Sequence, residues 1–487
     1  MVYNLMSIAL LFGATPSENW PGFRGDGSSV VSSGSLPLEW MPAKNIAWKA
    51  DLPGYGQSSP VIWNDTIFLT AVDGKEKEKC IVVAFNAAMG AILWKKEFEA
   101  SQKGKNNPMM SRAAPTPVVD EKAVYASFES GDIICCSHSG AELWKRSISM
   151  EVGEFKNNHG IGSSLAQTAN AVIFLLDHAG PSFLLAIDKA TGKNLWKTQR
   201  ESRTSWTSPV SCEVNGRELV LVSSSGNFGI YGASDGKLLA SMDGLVGNNI
   251  PSPTFHKGLI FIGSGENRMN PDPKASAKSN CMLMMAHLDG KTSLGKNWEA
   301  SKAISHHASP LAYEGVVYFV TKSGLVHALD MNSGKELFVE RLDSQCWATP
   351  VAGDGRVYFF GKDGVTTVIK AGPKFEKLAT NRIWGKVEFD KNFELAKKKA
   401  SDSMAGMGKG GPGGFTKSKN GESGSKDEKK SNSVTEKGQG GRGGMSPQEL
   451  EAARYSAVGD VVYGVAASKG RFFLRAGDSL FCIKAAN

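Results

Sequence analysis

The chain repeats one short motif at intervals of about fifty residues. Gly-Ala-Ile-Leu-Trp at residues 90–94 returns as Gly-Ala-Glu-Leu-Trp at 140–144 and as Gly-Lys-Asn-Leu-Trp at 192–196. Weaker copies follow at residues 236–240, 290–298 and 334–338, and successive leading glycines are 50, 52, 44, 54 and 44 residues apart. A period of this length built from short strands is typical of a β-propeller or a β-solenoid.

Each repeat contains four short segments rich in β-branched and aromatic residues. In the sixth repeat these segments begin near residues 308, 315, 324 and 334, and Gly, Asp or Ser-Gly turns separate them. The apolar residues alternate or run continuously and do not follow the helical i, i+3, i+4 spacing. Four strands in about 45–50 residues make one blade of a propeller.

A Ser-Pro or Thr-Pro pair, or a Ser-Ser pair, opens seven of the repeats. The seven starts are Ser59-Pro60, Pro115-Thr116-Pro117, Ser163-Ser164, Ser208-Pro209, Ser252-Pro253, Ser309-Pro310 and Thr349-Pro350. An eighth, degenerate start lies near residues 465–467, and that repeat reaches Asn487 without a Trp-bearing strand. Residues 45–49, Asn-Ile-Ala-Trp-Lys, supply such a strand at the other end of the sequence. We therefore predict an all-β, eight-bladed propeller over residues 45–487, closed by this N-terminal strand.

The repeated Gly-x-x-Leu-Trp resembles the repeat of the PQQ-binding-like, quinoprotein-type β-propellers. This group includes the outer-membrane-assembly propeller lipoprotein of bacteria, and the resemblance covers nearly the whole chain from Trp20. Kelch and WD40 repeats have a similar period, but the sequence has no Trp-Asp dipeptide. The opening Trp-Pro-Gly-Phe-Arg-Gly at 20–25, with residues 45–49 and 58–61, is similar to secreted, planctomycete-type members. The resemblance implies that each outer-strand Trp packs against the neighbouring blade.

Three segments lie outside the repeats. Residues 1–14 hold a short apolar run, 5–12, before Gly13 and Ala14, which resembles a weak export signal that lacks basic residues. Residues 15–44 form an N-terminal extension. Residues 391–446 are rich in Gly, Ser and Lys, and we expect a disordered insertion between blades 7 and 8. We expect an exported protein, periplasmic or secreted, and find no cysteine near the N-terminus to carry a lipid.

The net charge of +8 is concentrated in the insertion. Residues 391–447 contain eleven Lys and one Arg against six acidic residues, so the rest of the chain is nearly neutral. A globally basic surface is therefore not expected, and nucleic acid is excluded as a partner. Beyond residue 14 the sequence has no apolar run near the 18 or so residues that cross a bilayer, so we expect no transmembrane segment. We expect a monomer.

The adjacent Cys135 and Cys136 are the most suggestive chemical feature. Adjacent half-cystines lie under the cofactor in alcohol dehydrogenases of the quinoprotein superfamily. Here the pair occupies two positions of a repeated strand, where neighbouring side chains point to opposite faces, so we expect two small packed residues. The Glu, Asn and Asp metal ligands of those enzymes cannot be assigned. The nearest set, Glu266-Asn267-Arg268, opens a stretch to Asn280 that we expect to be a surface loop.

The segments that precede the inner strands hold the candidate site. In a propeller these segments cross one face and end near the central axis. They contain aromatic, imidazole and polar side chains, namely Tyr55, Arg112, His159, Trp206, Asn249, His306, His307 and Trp347. Convergence of such side chains would make a pocket for a protein or small-molecule ligand, whose binding would depend on pH through the histidines. The same residues could instead simply cap the blades.

Two functions remain open at the level of sequence. One is an exported, non-catalytic propeller that serves as a binding scaffold, for which no catalytic residue and no metal ligand is assigned. The other is a PQQ-dependent dehydrogenase that oxidises an alcohol or a sugar. PQQ as a cofactor is implied by the resemblance alone. The strong repeat and the missing catalytic set favour the scaffold, because a fold by itself does not define an activity.

Overall fold

The computed structural model of the chain describes residues 18–32, 34–104, 112–157, 159–247, 249–266, 271–288, 291–385 and 462–485. The predicted export signal (1–14) and the predicted insertion (391–446) lie outside the described residues. Within them, nearly all regular structure is β-strand, arranged in eight four-stranded antiparallel sheets. No helix in these ranges is long and apolar enough to cross a membrane.

In seven of the sheets the four strands follow one another in chain order, from the inner to the outer strand. Strand β1, Ile46–Asp51, precedes the first of them. Blade 1 has β2 (Val61–Trp63), β3 (Thr66–Asp73), β4 (Lys79–Asn86) and β5 (Ile92–Glu99); blade 2 has β6 (Val118–Val119), β7 (Ala123–Ser127), β8 (Asp132–Ser137) and β9 (Glu142–Ser147). Blade 3 has β10 (Ala166–Gln167), β11 (Ala171–Leu176), β12 (Ser182–Asp188) and β13 (Asn194–Arg200); blade 4 has β14 (Val210–Val214), β15 (Arg217–Ser224), β16 (Gly226–Gly232) and β17 (Leu238–Leu245).

The remaining blades continue the same order, with two short helices in the connections. Blade 5 has β18 (Thr254–His256), β19 (Leu259–Ile262), β20 (Cys281–Leu288) and β21 (Lys291–Glu299); blade 6 has β22 (Leu311–Tyr313), β23 (Val316–Val320), β24 (Leu325–Asp330) and β25 (Glu336–Arg341). Blade 7 has β26 (Val351–Gly353), β27 (Arg356–Phe360), β28 (Val365–Lys370) and β29 (Lys377–Arg382); blade 8 has β30 (Val462–Ser468), β31 (Arg471–Ala476) and β32 (Ser479–Lys484). Helix α1 is Ile148–Val152 and α2 is Pro273–Lys278.

The N-terminal strand completes the last blade. Strand β1 pairs antiparallel with β32, with Trp48 opposite Cys482 and Lys49 opposite Phe481. The degenerate start at residues 465–467 lies within β30, the inner strand of the same sheet. The predicted eight-bladed, all-β propeller closed by residues 45–49 is therefore confirmed. Closure of this kind ties the two ends of the ring together and removes an exposed sheet edge.

The repeated Gly and Trp form one contact between neighbouring blades. The indole of each outer-strand Trp lies over the leading glycine of the next blade and donates a hydrogen bond to a carbonyl there. The pairs are Trp48 over Gly90, Trp94 over Gly140, Trp144 over Gly192, Trp196 over Gly236 and Trp298 over Gly334, with N–O distances of 3.3, 2.7, 2.9, 2.8 and 3.0 Å. The predicted packing of each Trp against the neighbouring blade is confirmed. Blades 4, 6 and 7 carry Ala240, Phe338 and Ala379 at this position.

The Ser and Thr residues at the blade starts form a relay of hydrogen bonds around the axis. The backbone N–H of each residue donates to the side-chain hydroxyl of its counterpart in the next blade, over 2.8–3.1 Å. The relay runs through Ser59, Thr116, Ser164, Ser208, Ser252, Ser309 and Thr349. Because a hydroxyl is needed to satisfy each buried N–H, the sequence repeats Ser or Thr at this point.

The N-terminal extension lies along the axis-facing edges of the inner strands. Strand β2 pairs with β3 on one edge, and on the other Ile62 exchanges two backbone hydrogen bonds with Trp20, of 2.9 and 2.8 Å. Residues 18–31 contact seven blades through backbone bonds, side-chain bonds or packing. The contacts are Trp20 at Ile62, Pro21 at Val119 and Gln167, Gly27 at Val210, Arg24 at Pro253 and Thr254, Ser29 and Val31 at Ala352, and Glu18 at Ser468. This segment therefore joins distant blades at the centre of the ring.

Two expectations about local structure have different outcomes. Cys135 packs in an apolar cluster with Phe174 of blade 3, whereas Cys136 packs in a cluster with Phe68 of blade 1. Both are buried, free thiols on opposite faces of β8, so the expected packing role is confirmed. The expected loop up to Asn280 is wrong in part. It contains α2, which Asp272 caps by accepting from the N–H of Ala275.

Candidate functional site

The candidate residues share one face of the ring, which we call the upper face. Each lies two to five residues before a member of the hydroxyl relay, and the relay places the seven blade starts side by side. The turns between second and third strands reach the same face, because strand direction alternates within each blade. The relay residues are nearly all buried, whereas the candidates keep part of their surface exposed. The rim of the upper face is therefore open to a ligand.

Tyr55 and Arg112 form the first group. The guanidinium carbon of Arg112 lies 4.2 Å from the centroid of the Tyr55 ring, a cation–π contact. Tyr55 is fixed by two backbone hydrogen bonds to Val72, of 3.0 and 2.9 Å. The backbone N–H of Arg112 donates to Oε1 of Gln57 over 3.2 Å. Tyr55 is thus held by backbone and Arg112 by the Gln57 side chain, and the Arg112 side chain is partly exposed at the rim.

His159, Trp206 and Asn249 form the second group. The rings of His159 and Trp206 are 5.7 Å apart at 52°. The indole Nε1 of Trp206 donates to the carbonyl of Gly160 over 2.9 Å, and its backbone N–H donates to the carbonyl of Asn249 over 2.7 Å. Three successive approach segments are joined through Trp206.

His307, Trp347 and Lys362 form the third group. The His307 and Trp347 rings stack with 4.3 Å between centroids and 8° between planes. The Nζ of Lys362 lies 3.5 Å from the Trp347 centroid. At these distances the two groups occupy opposite sides of the indole, which is therefore held between an imidazole and an ammonium. Burial lowers the pKa of Lys362 to about 7.

His306 contacts Glu266 and Lys322. Its Nε2 lies 3.8 Å from a carboxylate oxygen of Glu266, and its Nδ1 accepts the backbone N–H of Lys322 over 3.4 Å. Glu266 is the residue from which the sequence predicted a turn. The eight candidates thus lie on one face in three contact groups, with His306 beside the third.

Two upper-face residues were missed from the sequence. Lys362 lies in the turn between β27 and β28, and Arg475 lies at the end of β31. Both residues lie outside the segments before inner strands, in or beside turns between second and third strands, which reach the same face. The sequence marks the position of Lys362, because Gly-Lys-Asp-Gly at 361–364 is a turn motif.

A small cavity of about 70 Å³ lies off the axis between blades 1, 2 and 3. Its lining includes the buried ion pair of Lys77 and Glu129, whose Nζ and Oε1 are 3.2 Å apart, together with Cys80 and Asn157. Cys80 is buried, and burial raises the pKa of its thiol, which disfavours the reactive thiolate. The cavity borders the second group, because Gly160, which accepts the indole hydrogen bond of Trp206, is part of its lining.

The adjacent cysteines do not fit the cofactor that the fold suggests. A quinoprotein dehydrogenase holds PQQ beside a metal with carboxylate and amide ligands. No three His, Cys, Asp or Glu side chains of the described ranges are placed to hold a metal ion together. The two adjacent cysteines are buried between blades and cannot lie under a cofactor. We therefore derive no chemical step through PQQ.

Eight four-stranded blades with Trp docked on Gly define a PQQ-like β-propeller protein. The sequence model of the family PQQ_2, described as outer membrane protein assembly factor BamB, matches residues 26–160, 78–270 and 286–390, more than half of the chain. The chain belongs to this family. A comparison with curated proteins returned no match.

Solved structures share the fold at low sequence identity. BamB from Moraxella catarrhalis is 11% identical with a TM-score of 0.53, over 90% of this chain and 97% of that chain. The computationally designed Ika8 protein is 12% identical with a TM-score of 0.49, over 89% and 98%. A europium-containing methanol dehydrogenase is 12% identical with a TM-score of 0.39, over 72% and 89%. At these identities the likeness concerns the fold alone.

Proposed function

We propose that this chain is an exported, non-catalytic propeller that binds a protein or small-molecule ligand at the rim of its upper face. The observation that carries the proposal is the arrangement of Tyr55, Trp206 and Trp347. Each is partly exposed, and each contacts a cationic or imidazole side chain through its ring. Aromatic and Arg side chains in fixed positions are the groups that most often anchor partners.

The family description supports a protein partner. An assembly factor acts by holding other proteins, and a ring with many equivalent approach segments offers a wide binding rim. The short apolar run at residues 5–12 supports export. Cell fractionation tests this part, because retention of the mature chain in the cytoplasm would contradict it.

A capture experiment with matched variants tests the binding site. The immobilised full chain is exposed to the cell-envelope extract of its source organism, and bound proteins are quantified by mass spectrometry. His306→Ala with Trp347→Ala is expected to lose the specific partners. The control, Met89→Ala with His287→Ala, changes two exposed residues next to turns of the opposite face and is expected to retain them. Equal capture by both double variants would overturn the proposal.

A further inference from the structure

Hydrogen-bond donors on the upper face lack acceptors near Tyr55. Nε of Arg112 is enclosed and has no hydrogen-bond partner, and the Arg112 guanidinium takes part in no ion pair of the described residues. The guanidinium lies over the face of the Tyr55 ring. An enclosed donor without an acceptor destabilises the folded chain, so such groups call for an explanation.

A second guanidinium lies under the same segment. Arg475 is fully buried, and its Nη1 donates to Oγ of Ser58 and to the carbonyl of Thr70 over 2.7 and 2.6 Å. Its Nη2 has no acceptor and lies directly beneath Gly56, where a Cβ would be only 2.2 Å away. A positive charge buried without a counter-ion raises the potential of the surface above it.

Nearby acidic groups are already engaged. The carboxylate of Glu129 accepts the backbone N–H of Ala113, next to Arg112, over 3.0 Å. The same carboxylate holds the buried ammonium of Lys77 at 3.2 Å. Asn157, on the next approach segment, also has an enclosed Nδ2 without a partner. The unsatisfied groups here are donors, so the complementary ligand carries acceptors.

We infer that the ligand of the upper face is an acidic peptide segment whose carboxylate binds the guanidinium of Arg112. This inference rests on the proposed function and names the chemistry of its ligand. Stacking on Tyr55 holds the guanidinium plane, which suits the forked geometry of a carboxylate. The aromatic groups lie on the approach segments of several blades, so a ligand that reaches more than one is extended. Burial lowers the pKa of Arg475 to about 9, and a nearby carboxylate would favour its charged form.

Fluorescence anisotropy with two labelled peptides tests the inference. The probes are Glu-Glu-Phe-Glu-Glu-Phe and its counterpart with Gln in place of Glu. The Glu peptide is expected to bind the full chain more tightly than the Gln peptide. Arg112→Gln should weaken binding of the Glu peptide by about tenfold or more, as expected for loss of a charge-assisted hydrogen bond. Arg112→Lys keeps the positive charge but lacks the forked guanidinium, so its affinity for the Glu peptide should lie between those of the wild-type chain and Arg112→Gln. This variant replaces Arg112→Gln in the test if the latter does not fold.

The control is Arg217→Gln, which removes an exposed Arg from a turn of the opposite face and should leave binding unchanged. Unchanged affinity in both Arg112 variants, equal affinity for the two peptides, or no binding of either would overturn the inference. Displacement of the Glu peptide by inorganic phosphate at equal concentration would also overturn it, because the site would then select phosphate. If His306→Ala with Trp347→Ala abolishes partner capture while Arg112→Gln changes nothing, the proposed function stands and this inference fails.

Discussion

At the scale of single residues, the leading glycine of a repeat is needed where an indole packs on it, because a side chain there would contact the ring. Gly192 has φ of +70° and Gly216 has φ of +73°, so alanine at either position pays the same cost of left-handed backbone, about 1–2 kcal/mol. Only at Gly192 would the new Cβ lie 2.8 Å from the ring of Trp144, and nothing lies within 4 Å at Gly216. Gly192→Ala is therefore expected to lower the free energy of unfolding, measured in urea, by about 1–3 kcal/mol more than Gly216→Ala. Equal losses would mean that the indole is not tightly seated.

A buried histidine makes stability depend on pH. Nδ1 of His178 accepts the backbone N–H of Lys156 over 2.9 Å, and Nε2 lies 3.1 Å from the carbonyl of Pro181, to which it can donate. Burial lowers the pKa of His178 below its ordinary value of 6.5. The unfolded chain therefore takes up a proton first, and stability is lost as pH falls from 6.5 through the lower, folded-state pKa.

His178→Asn tests this, since its side-chain oxygen can still accept from Lys156 but does not titrate. Thermal unfolding at pH 7.5, 6.5, 5.5 and 4.5 should show a smaller decline in melting temperature for the variant than for the wild-type chain. His287→Asn, at an exposed position, should follow the wild-type curve. Identical curves for His178→Asn and wild type would contradict the assignment.

The sequence identified candidate residues one at a time but not their pairing. His307 and Trp347 were both singled out because each precedes a blade start. Their parallel stack depends on the distance between blades 6 and 7, which periodicity does not specify. Lys362 was missed for the same reason, since its contact with Trp347 comes from a different part of blade 7.

At the scale of elements, each Trp–Gly contact joins one pair of neighbouring blades. Trp48→Ala should loosen the junction between blades 8 and 1, and hydrogen exchange should accelerate in β1, β32 and β5. Trp298→Ala should instead accelerate exchange in β21 and β25, because local opening follows local contacts. Each substitution is expected to cost about 3 kcal/mol. Faster exchange in β32 on Trp298→Ala would show that the contacts do not act separately.

The strands could be predicted because their pattern recurs in every blade, whereas helix α2 was not predicted. Eight copies of one pattern reinforce each other, so even the degenerate β30 and the displaced β1 could be placed. The helix occurs once. Its start carries ordinary signals, Asp272 as the capping residue and Pro273 in the first turn, but the surrounding Asn and Pro residues favoured a loop.

At the scale of the whole molecule, the predicted insertion should be dispensable for folding. Strand β29 ends at Arg382 and β30 begins at Val462. Replacing residues 391–446 by a short Gly-Ser linker should change the melting temperature by no more than about 2 °C, since the entropic cost of a loop grows only logarithmically with its length. Limited trypsin digestion should cut the insertion first. Protection of the insertion, or a large loss of stability without it, would show that it docks on the propeller.

The axial course of residues 18–31 could not be predicted from the sequence. Its contacts join residues far apart in the chain, such as Arg24 with Thr254 and Glu18 with Ser468. No periodicity marks them, and each depends on the ring being closed. The opening Trp-Pro-Gly-Phe-Arg-Gly at 20–25 could be noted only as a resemblance, and the structure supplies its role at the centre of the ring.

The non-catalytic assignment is tested most directly by reconstitution of the purified full chain with PQQ and calcium. Dye reduction is then followed over a panel of primary alcohols and aldose sugars, with a known quinoprotein dehydrogenase as positive control. Among the described residues, no three His, Cys, Asp or Glu side chains are placed to hold a metal ion together, and Cys135 and Cys136 are free thiols. We therefore predict a rate equal to that of the heat-denatured chain with the same additions. PQQ-dependent turnover above this background would contradict the scaffold function and would make the chain a dehydrogenase.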